Sequence, residues 1–321
     1  MSTKRLSFVC KEYFCSVKIK KDYGLILAIL TVAIVWGTTF LGIRVAVETI
    51  APWYVAGIRQ CIAALLLLGI LMYRQEFRWI GWKNFFVQIL FSVLMLVIAN
   101  GMVTVAEEQV TSSLASLISA ASPLVVFLGS VLLGLQKFTV RALAGVLMGF
   151  CGILLIFRDG LEDLLNPEYR LGIIFIFIAI SGWAAGSIFT KKLQLQNQNI
   201  SLNLFYQFAF AGIFQTLLGW WIHGDFATED WSFKSVLATL YLAVFGSVAA
   251  YFAFHYALKK ISPTQISLLS YVNTIIAIIL GWWILDEEIS AAFIAAAVLI
   301  IGGVFITNYQ KGMFRRKRAS S

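Results

Sequence analysis

The chain has little of what soluble catalysts and metal sites need. Only 13% of its 321 residues are charged, and it holds two histidines, four cysteines and four prolines. Catalysis at a membrane would require His, Cys or carboxylate groups clustered at reacting distance. Here His223 and His255 are the only histidines, and the acids fall overwhelmingly in short connections, so no catalytic residue and no enzyme is expected. Cys10, Cys15, Cys61 and Cys151 form no CxxC pair and have no histidine spaced for zinc, which leaves them as small packing residues and predicts no metal and no cofactor. A GxxxxGK phosphate cradle is absent, excluding ATP use through that motif. The first 23 residues carry Lys4, Arg5, Lys11, Lys18, Lys20 and Lys21 without a short apolar core ending in small residues. No cleavable signal is therefore expected, and the first span acts as its own insertion signal.

What the chain has instead is apolar surface. At 60% hydrophobic residues it carries more than one soluble domain of this size can hide, so lipid must be part of its solvent. The charges cluster, leaving runs long enough to cross a hydrocarbon core of ~30 Å, which takes ~20 helical residues. Spans are placed near residues 24 to 44, 52 to 73, 84 to 105, 111 to 134 and 140 to 157, then 171 to 190, 202 to 222, 235 to 257, 264 to 285 and 291 to 309. The net charge of +9 would suit nucleic acid only if the basic residues shared a water-exposed face. They sit at span ends, which points to membrane lipids and to no nucleic-acid partner.

Putting the N-terminus in the cytoplasm places there the six basic residues of the N-terminal tail, Arg74, Arg78, Lys83, Lys137, Arg141, Lys191, Lys192, Lys259, Lys260 and the five of the C-terminal tail. Only Arg44, Arg59, Arg158, Arg170 and Lys234 remain elsewhere. Alternate connections are basic and the others acidic, including Glu107-Glu108 and Asp286-Glu287-Glu288. Losing or merging one span would reverse every later connection, so the bias supports ten spans with both termini cytoplasmic.

Sliding the chain on itself by 151 residues lays Ala99 to Gly152 over Ala250 to Gly303 without a gap. Ala106 meets Ala257, Ser119 meets Ser270, and Thr139 meets Ser290. At an offset of 147, Trp36-Gly37 with Arg44 falls over Trp183-Ala184 with Lys191. Five spans per half is odd, so the second half inserts upside down, an arrangement that transporters use. The expected fold is an all-α integral membrane protein of ten transmembrane helices in two inverted five-helix repeats. Residues 1–23 form a cytoplasmic tail, 24–157 the first repeat, 158–170 an external linker, 171–309 the second repeat, and 310–321 a basic cytoplasmic tail.

Three features carry a more specific likeness: Trp36-Gly37-Thr38-Thr39, Arg59 inside the second span, and Leu135-Gln136-Lys137-Phe138-Thr139 leading into a glycine-bearing fifth span. With them the chain resembles the EamA-like family of the drug/metabolite transporter superfamily over roughly residues 24 to 309. The resemblance implies two five-helix units around a central cavity, and members that export amino acids and related metabolites. Where the family often has a glutamate before the last helix of each half, this chain has Gln136 in the first half and Glu287 in the second.

Ionisable groups at membrane depth are costly and point to function by default. Arg59 lies seven residues beyond Pro52, on the order of 10 Å down a helix at 1.5 Å per residue. It either grips an anionic group bidentately or snorkels to the outer interface towards Glu48. His255 is a candidate proton relay, or a hydrogen-bonding contact near the end of its span. Arg44 and Lys191 read as snorkelling residues. No carboxylate falls well inside a span, which favours facilitated diffusion or exchange.

Ser116, Ser119 and Ser122 make a polar stripe beside Pro123, whose missing N–H can kink the helix, and Ser267, Ser270, Asn273 and Thr274 stand at the matched places. Two such stripes can line one cavity, or serve as small interhelical contacts. Trp36, Trp183, Tyr206 and Tyr251 are candidate stacking walls, while Trp220, Trp221, Trp282 and Trp283 read as interface anchors. Thr38 and Asn100 complete the candidate substrate-binding set. Gly145 and Gly149, and Gly182 and Gly186, have the spacing of close helix packing, within the chain or in a dimer. The expected function is a secondary carrier moving amino acids or similar small polar metabolites by alternating access, outward by resemblance. A multidrug or lipophilic-cation efflux carrier, or a channel-like facilitator, is the alternative.

Overall fold

The computed structural model describes residues 22–195, 198–224, 228–275 and 291–308, and every regular element among them is helical. The helices are α1 (Tyr23–Ala46), α2 (Pro52–Tyr73), α3 (Trp82–Gln109), α4 (Ser112–Ser119), α5 (Ser122–Leu132), α6 (Val140–Ile156), α7 (Arg170–Lys192), α8 (Ile200–His223), α9 (Phe233–Lys260), α10 (Pro263–Ser267) and α11 (Ala291–Asn308). Their starts are written in short polar side chains. Asp22, Thr111, Thr139, Asn199, Ser232 and Ser262 each accept an otherwise orphaned backbone N–H of the first turn, and Pro52 occupies the first turn of α2, where its missing N–H costs nothing.

Among the described residues, six helical stretches are long and apolar enough to cross a membrane: Tyr23–Ala46, Pro52–Tyr73, Trp82–Gln109, Leu114–Leu132, Pro167–Lys192 and Phe233–Lys260. Val140–Ile156 and Ile294–Asn308 are shorter apolar helices. α8 is long enough but carries Asn203, Gln207 and Gln215 buried along it. Residues 1–21 of the N-terminal tail, the C-terminal tail, the Asp286-Glu287-Glu288 connection, Trp282, Trp283, Ser290 and the second half of the expected ninth span lie outside the described residues. The expected linker 158–170 holds two 3-10 turns, Arg158–Leu165 and Pro167–Tyr169.

Connections between helix ends define the two ends of the bundle. At one end Asp22 pairs with Lys260, Asn199 donates to Glu76 (2.8 Å), Thr264 to Gln136 (3.0 Å) and Gln265 to Asn308 (2.8 Å). The Lys260 ammonium beside Asp22 holds that carboxyl below its usual value. At the other end Thr49 accepts from the Ser232 N–H (3.0 Å), Ser235 donates to the Val45 carbonyl (2.8 Å) and the Tyr54 hydroxyl to the Gly224 carbonyl.

Packing pairs helices across the two halves. α2 lies along α8, α6 along α11, α3 against α7, and α1 against α9. Close approach needs glycine at the crossings. A Cβ on Gly303 would stand 2.7 Å from the Gly149 backbone nitrogen, and one on Gly57 would stand 2.6 Å from the Thr216 backbone nitrogen. The expected small-residue contacts are therefore met inside the chain: Gly149 lies against Tyr271, Gly182 against Ile98 and Gly186 against Met95.

Two expectations change. Pro123 does not kink a continuous helix. The backbone turns at Ala120 and Ala121, and Pro123 sits in the first turn of the new helix α5. A matching turn at Leu268 ends α10 before residues 269–275 resume a helix. Arg44 and Lys191, expected only to snorkel, each have a fixed partner within the fold. Arg44 Nη1 donates to the Glu107 carbonyl oxygen (2.6 Å) near the end of α3, and Lys191 Nζ to those of Leu258 (2.5 Å) and Ile261 (3.2 Å) at the end of α9. Each cation thus caps carbonyls that a helix C-terminus leaves unpaired, where the helix dipole also favours positive charge. Replacing Lys191 with Met is expected to lower stability by about 1.5–3 kcal/mol, the scale of hydrogen bonds to charged groups, and to lower the Tm in detergent. Arg44→Met is expected to do the same, while Lys192→Met leaves the Tm unchanged.

Candidate functional site

α3 and α9 both widen into a π-helical segment at mid-length, Val93–Gly101 and Leu242–Ala249. Single π turns inside α-helices recur at functional sites because their altered pairing leaves carbonyls and side chains differently aimed. Here those carbonyls are taken by side chains from other helices. Trp36 Nε1 donates to the Gly246 oxygen (3.3 Å), the Tyr251 hydroxyl to the Met95 oxygen (3.3 Å), and Gln215 Nε2 to the Leu96 oxygen (3.0 Å).

Between these segments and the two broken helices lies a cavity of about 1010 Å3 of empty space, open solvent included. α1 contributes Trp36, Thr39, Phe40 and Ile43; α2 Arg59; α3 Ala99, Asn100 and Val103; α4 and α5 Ser116, Ser119 and Ser122; α7 Ala179, Ile180 and Trp183; α9 Tyr251 and Phe254. The segment through α10 adds Ile266, Ser267, Leu269, Ser270 and Asn273. α6, α8 and α11 add nothing to this wall among the described residues.

Arg59 is 1% exposed, so it does not snorkel towards Glu48. Its Nε donates to Ser247 Oγ (3.3 Å), while Nη1 has no hydrogen-bond partner among the described residues. Gly246 makes the space for this group, since a Cβ there would stand 3.2 Å from Arg59 Nη2 and 3.2 Å from Thr39 Cγ2. A second charge is near. Glu107, expected in an external connection, lies on a continuous α3 that runs to Gln109, is fully buried, and acts electrostatically on Arg59. A carboxylate is therefore buried in the bundle, contrary to the expectation of none. A hydropathy window places such a residue at the boundary because it averages over the helix faces, whereas burial depends on one face.

The aromatic wall is a packed cluster. Trp36 and Trp183 meet edge to face with centroids 5.0 Å apart, Tyr251 stands 5.7 Å from Trp36 and 5.8 Å from Trp183, and Phe254 lies 4.9 Å from Trp183. Gly37, next to Trp36, lets α1 approach the backbone of Asn273, whose carbonyl oxygen would stand 3.1 Å from a Cβ. With its amide nitrogen turned towards them, Asn273 reaches the carbonyl oxygens of Ala33 (3.0 Å) and Leu269 (2.7 Å).

Of the sequence candidates, Arg59, Trp36, Asn100, Ser119, Ser122, Trp183, Tyr251, Ser270 and Asn273 come together here. Five do not reach this wall. The Thr38 hydroxyl pairs with Tyr241 and the Val35 carbonyl. Tyr206 donates to the Arg78 carbonyl (3.1 Å) and packs on Trp79 and Phe85. Thr274 donates to the Ser270 carbonyl (3.2 Å), Pro123 is buried at the start of α5, and His255 lines a separate small pocket. Thr39, Ser247, Gly246, Glu107 and Phe254 were not among the site residues expected from sequence. One signal was available. The 151-residue offset pairs wall residue with wall residue: Asn100 with Tyr251, Val103 with Phe254, Ser116 with Ser267, Ser119 with Ser270, and Ser122 with Asn273.

The model of the EamA-like transporter family matches residues 23–158 and 170–309. The chain is 30% identical over 282 residues to the uncharacterized inner membrane transporter YedA of Escherichia coli (strain K12), covering 87% of this chain and 89% of that protein. It is 24% identical to the uncharacterized transporter YoaV of Bacillus subtilis (strain 168), over 88% of this chain and 96% of that one. A crystal structure at 17% identity superposes with a TM-score of 0.72 over 88% of this chain and 95% of its own, which shows a common fold.

Overpacking a filled core costs about 1–3 kcal/mol, so Gly57→Ala, whose Cβ would stand 2.6 Å from the Thr216 backbone nitrogen, is expected to lower the Tm. Gly69→Ala, with nothing within 4 Å of its Cβ, should leave the Tm unchanged or raise it slightly. Thermal unfolding of the two variants in detergent checks both.

Proposed function

The chain belongs to the EamA-like transporter family, and from that premise we propose that it is a secondary carrier for small polar metabolites bearing a carboxylate, amino acids foremost. Membership makes the protein an integral membrane transporter and not an enzyme, with a small molecule as its partner. The substrate class is read from one observation: the guanidinium of Arg59 is buried in the wall of the cavity with Nη1 unmatched among the described residues.

A buried cation at membrane depth needs a compensating anion or polar group. A planar carboxylate fits a guanidinium bidentately, and Ser119, Ser122, Ser270 and Asn100 offer neutral hydrogen bonds on the facing walls. The faces of Trp36, Trp183 and Tyr251 suit the ammonium of a zwitterion through cation–π attraction. A lipophilic cation would meet Arg59 as a like charge, which weighs against the drug-efflux reading. A channel-like facilitator is disfavoured by the packed aromatic cluster closing one side of the cavity.

Alternating access follows from ten spans in two inverted halves. Three observations support that arrangement: π-helical segments in both α3 and α9, cations capping the ends of those two helices, and contacts that pair α3 with α7 as α9 with α1. Exchanging the halves would exchange these pairs, as a pseudo-two-fold axis in the membrane plane requires. The basic connections gather at the bundle end where α1 begins, so both termini are assigned to the cytoplasm. Outward transport rests on the family resemblance.

A thermal-shift screen of purified protein against amino acids, sugars, nucleosides and cationic drugs tests the reading. A ligand at 100 times its Kd stabilises the fold by about 2.7 kcal/mol, and the stabilising set is expected to be zwitterions and carboxylates, lost in Arg59→Ala. Stabilisation by lipophilic cations alone, or carboxylate binding that persists in Arg59→Ala at normal folding, would overturn the assignment.

A further inference from the structure

Beyond the aromatic cluster, on the side away from Arg59, lies a second polar pocket. Tyr251 and His255 are one turn apart on α9, and Trp183 and Thr190 are two turns apart on α7, so each pair shares a helix face. His255 and Thr190 therefore continue the line of the cluster towards the bundle end where α1 begins. With Asn203 and Gln207 of α8, and with the apolar Leu195, Ile200 and Leu204, they line a pocket with room for at most about one water molecule. His255 Nε2, Thr190 Oγ1 and Gln207 Oε1 have no hydrogen-bond partner among the described residues, although the three residues are only 6%, 1% and 2% exposed. Buried polar groups left unmatched are costly, and several of them around one small space mark a place for a polar guest.

The internal repeat is a second and independent observation. At the offset that lays Trp36 over Trp183, Ile43 of the main cavity falls on Thr190. Arg59 lies seven residues beyond Pro52, where α2 begins, and Gln207 seven beyond Ile200, where α8 begins. In the frame of the second half, the small pocket occupies the place that the Arg59 end of the main cavity occupies in the first.

Resting on the carrier reading, we propose that this pocket is a second station of the solute path: a hydrated site that takes water while closed and the neutral hydrogen-bonding groups of the solute when open. Trp36, Trp183, Tyr251 and Phe254 form the gate between the two stations. Among the described residues, no Lys, Arg, Asp or Glu lines the second station. The carboxylate of a solute thus finds a fixed cationic partner at one end of the path only.

Thiol labelling tests this on ligand-free protein. With Cys10, Cys15, Cys61 and Cys151 replaced by Ser, Thr190→Cys is exposed to a positively charged methanethiosulfonate reagent and followed by mass spectrometry. A minor open state of ~0.1–10% gives slow labelling, and adding Trp183→Ala is expected to speed it about tenfold or more, because truncating a packed tryptophan destabilises the closed form. Ser130→Cys on α5, equally buried with an unmatched Oγ, should stay unlabelled in both backgrounds. Thr190→Cys no more reactive than Ser130→Cys, or equal acceleration of the two, would overturn the proposal. Gln207→Cys reports on the same pocket from α8 if the Thr190 variant fails to fold. Labelling needs no solute, so a negative ligand screen bears on the carrier reading alone and a negative labelling result on the second station alone.

Discussion

In hydrocarbon no water is at hand to satisfy a polar group, so each backbone or side-chain donor and acceptor at membrane depth must find its partner within the protein. That constraint organises this bundle. The carbonyls of the π-helical segments are met by Trp36, Tyr251 and Gln215, and the carbonyls at the ends of α3 and α9 by Arg44 and Lys191. The exceptions are then informative. Arg59 Nη1 and Ser270 Oγ belong to residues of the main cavity wall, while His255 Nε2, Thr190 Oγ1 and Gln207 Oε1 belong to the small pocket. Others, among them Gln60 Oε1, Ser130 Oγ and Ser187 Oγ, are unmatched among the described residues yet line neither space, so an unmatched group marks a site only where room lies beside it.

The same bundle separates what packs from what lines. α6 and α11 meet through glycine at backbone distance and stay off the cavity, and α2 and α8 cross in the same way, with only Arg59 of α2 reaching the main wall. The broken helices, turning at Ala120–Ala121 and at Leu268, face the cavity with their serines. A helix break is tolerated at membrane depth where it is buried in protein or faces a cavity. Glycine-packed pairs thus surround a centre of broken and π-widened helices.

Much of this is legible in the order of residues. Short polar caps mark helix starts, the apolar runs mark spans, and the 151-residue offset pairs one wall residue with another. Trp36-Gly37 stands out as a motif, and its two parts have separate reasons: the indole joins the aromatic cluster, and the glycine admits the backbone of Asn273. Tyr206 shows where such reading stops. Its chemistry resembles that of Tyr251, yet it faces Arg78, Trp79 and Phe85 at another corner of the bundle, because packing between helices decides where each side chain lands.

Membrane residence, the points where helices start, the correspondence of residues between the halves and the depth of Arg59 in its span all follow from the order of amino acids. Hydropathy, capping chemistry and spacing produce them, and these are local. The burial of Arg59 beside Gly246 and Ser247 with its charge near Glu107, the capping of distant helices by Arg44 and Lys191, and the separation of His255 from the main cavity arise only on folding. Each of these depends on which face of one helix meets which face of another. That choice is made by close packing between residues far apart in the chain, and no local pattern carries it.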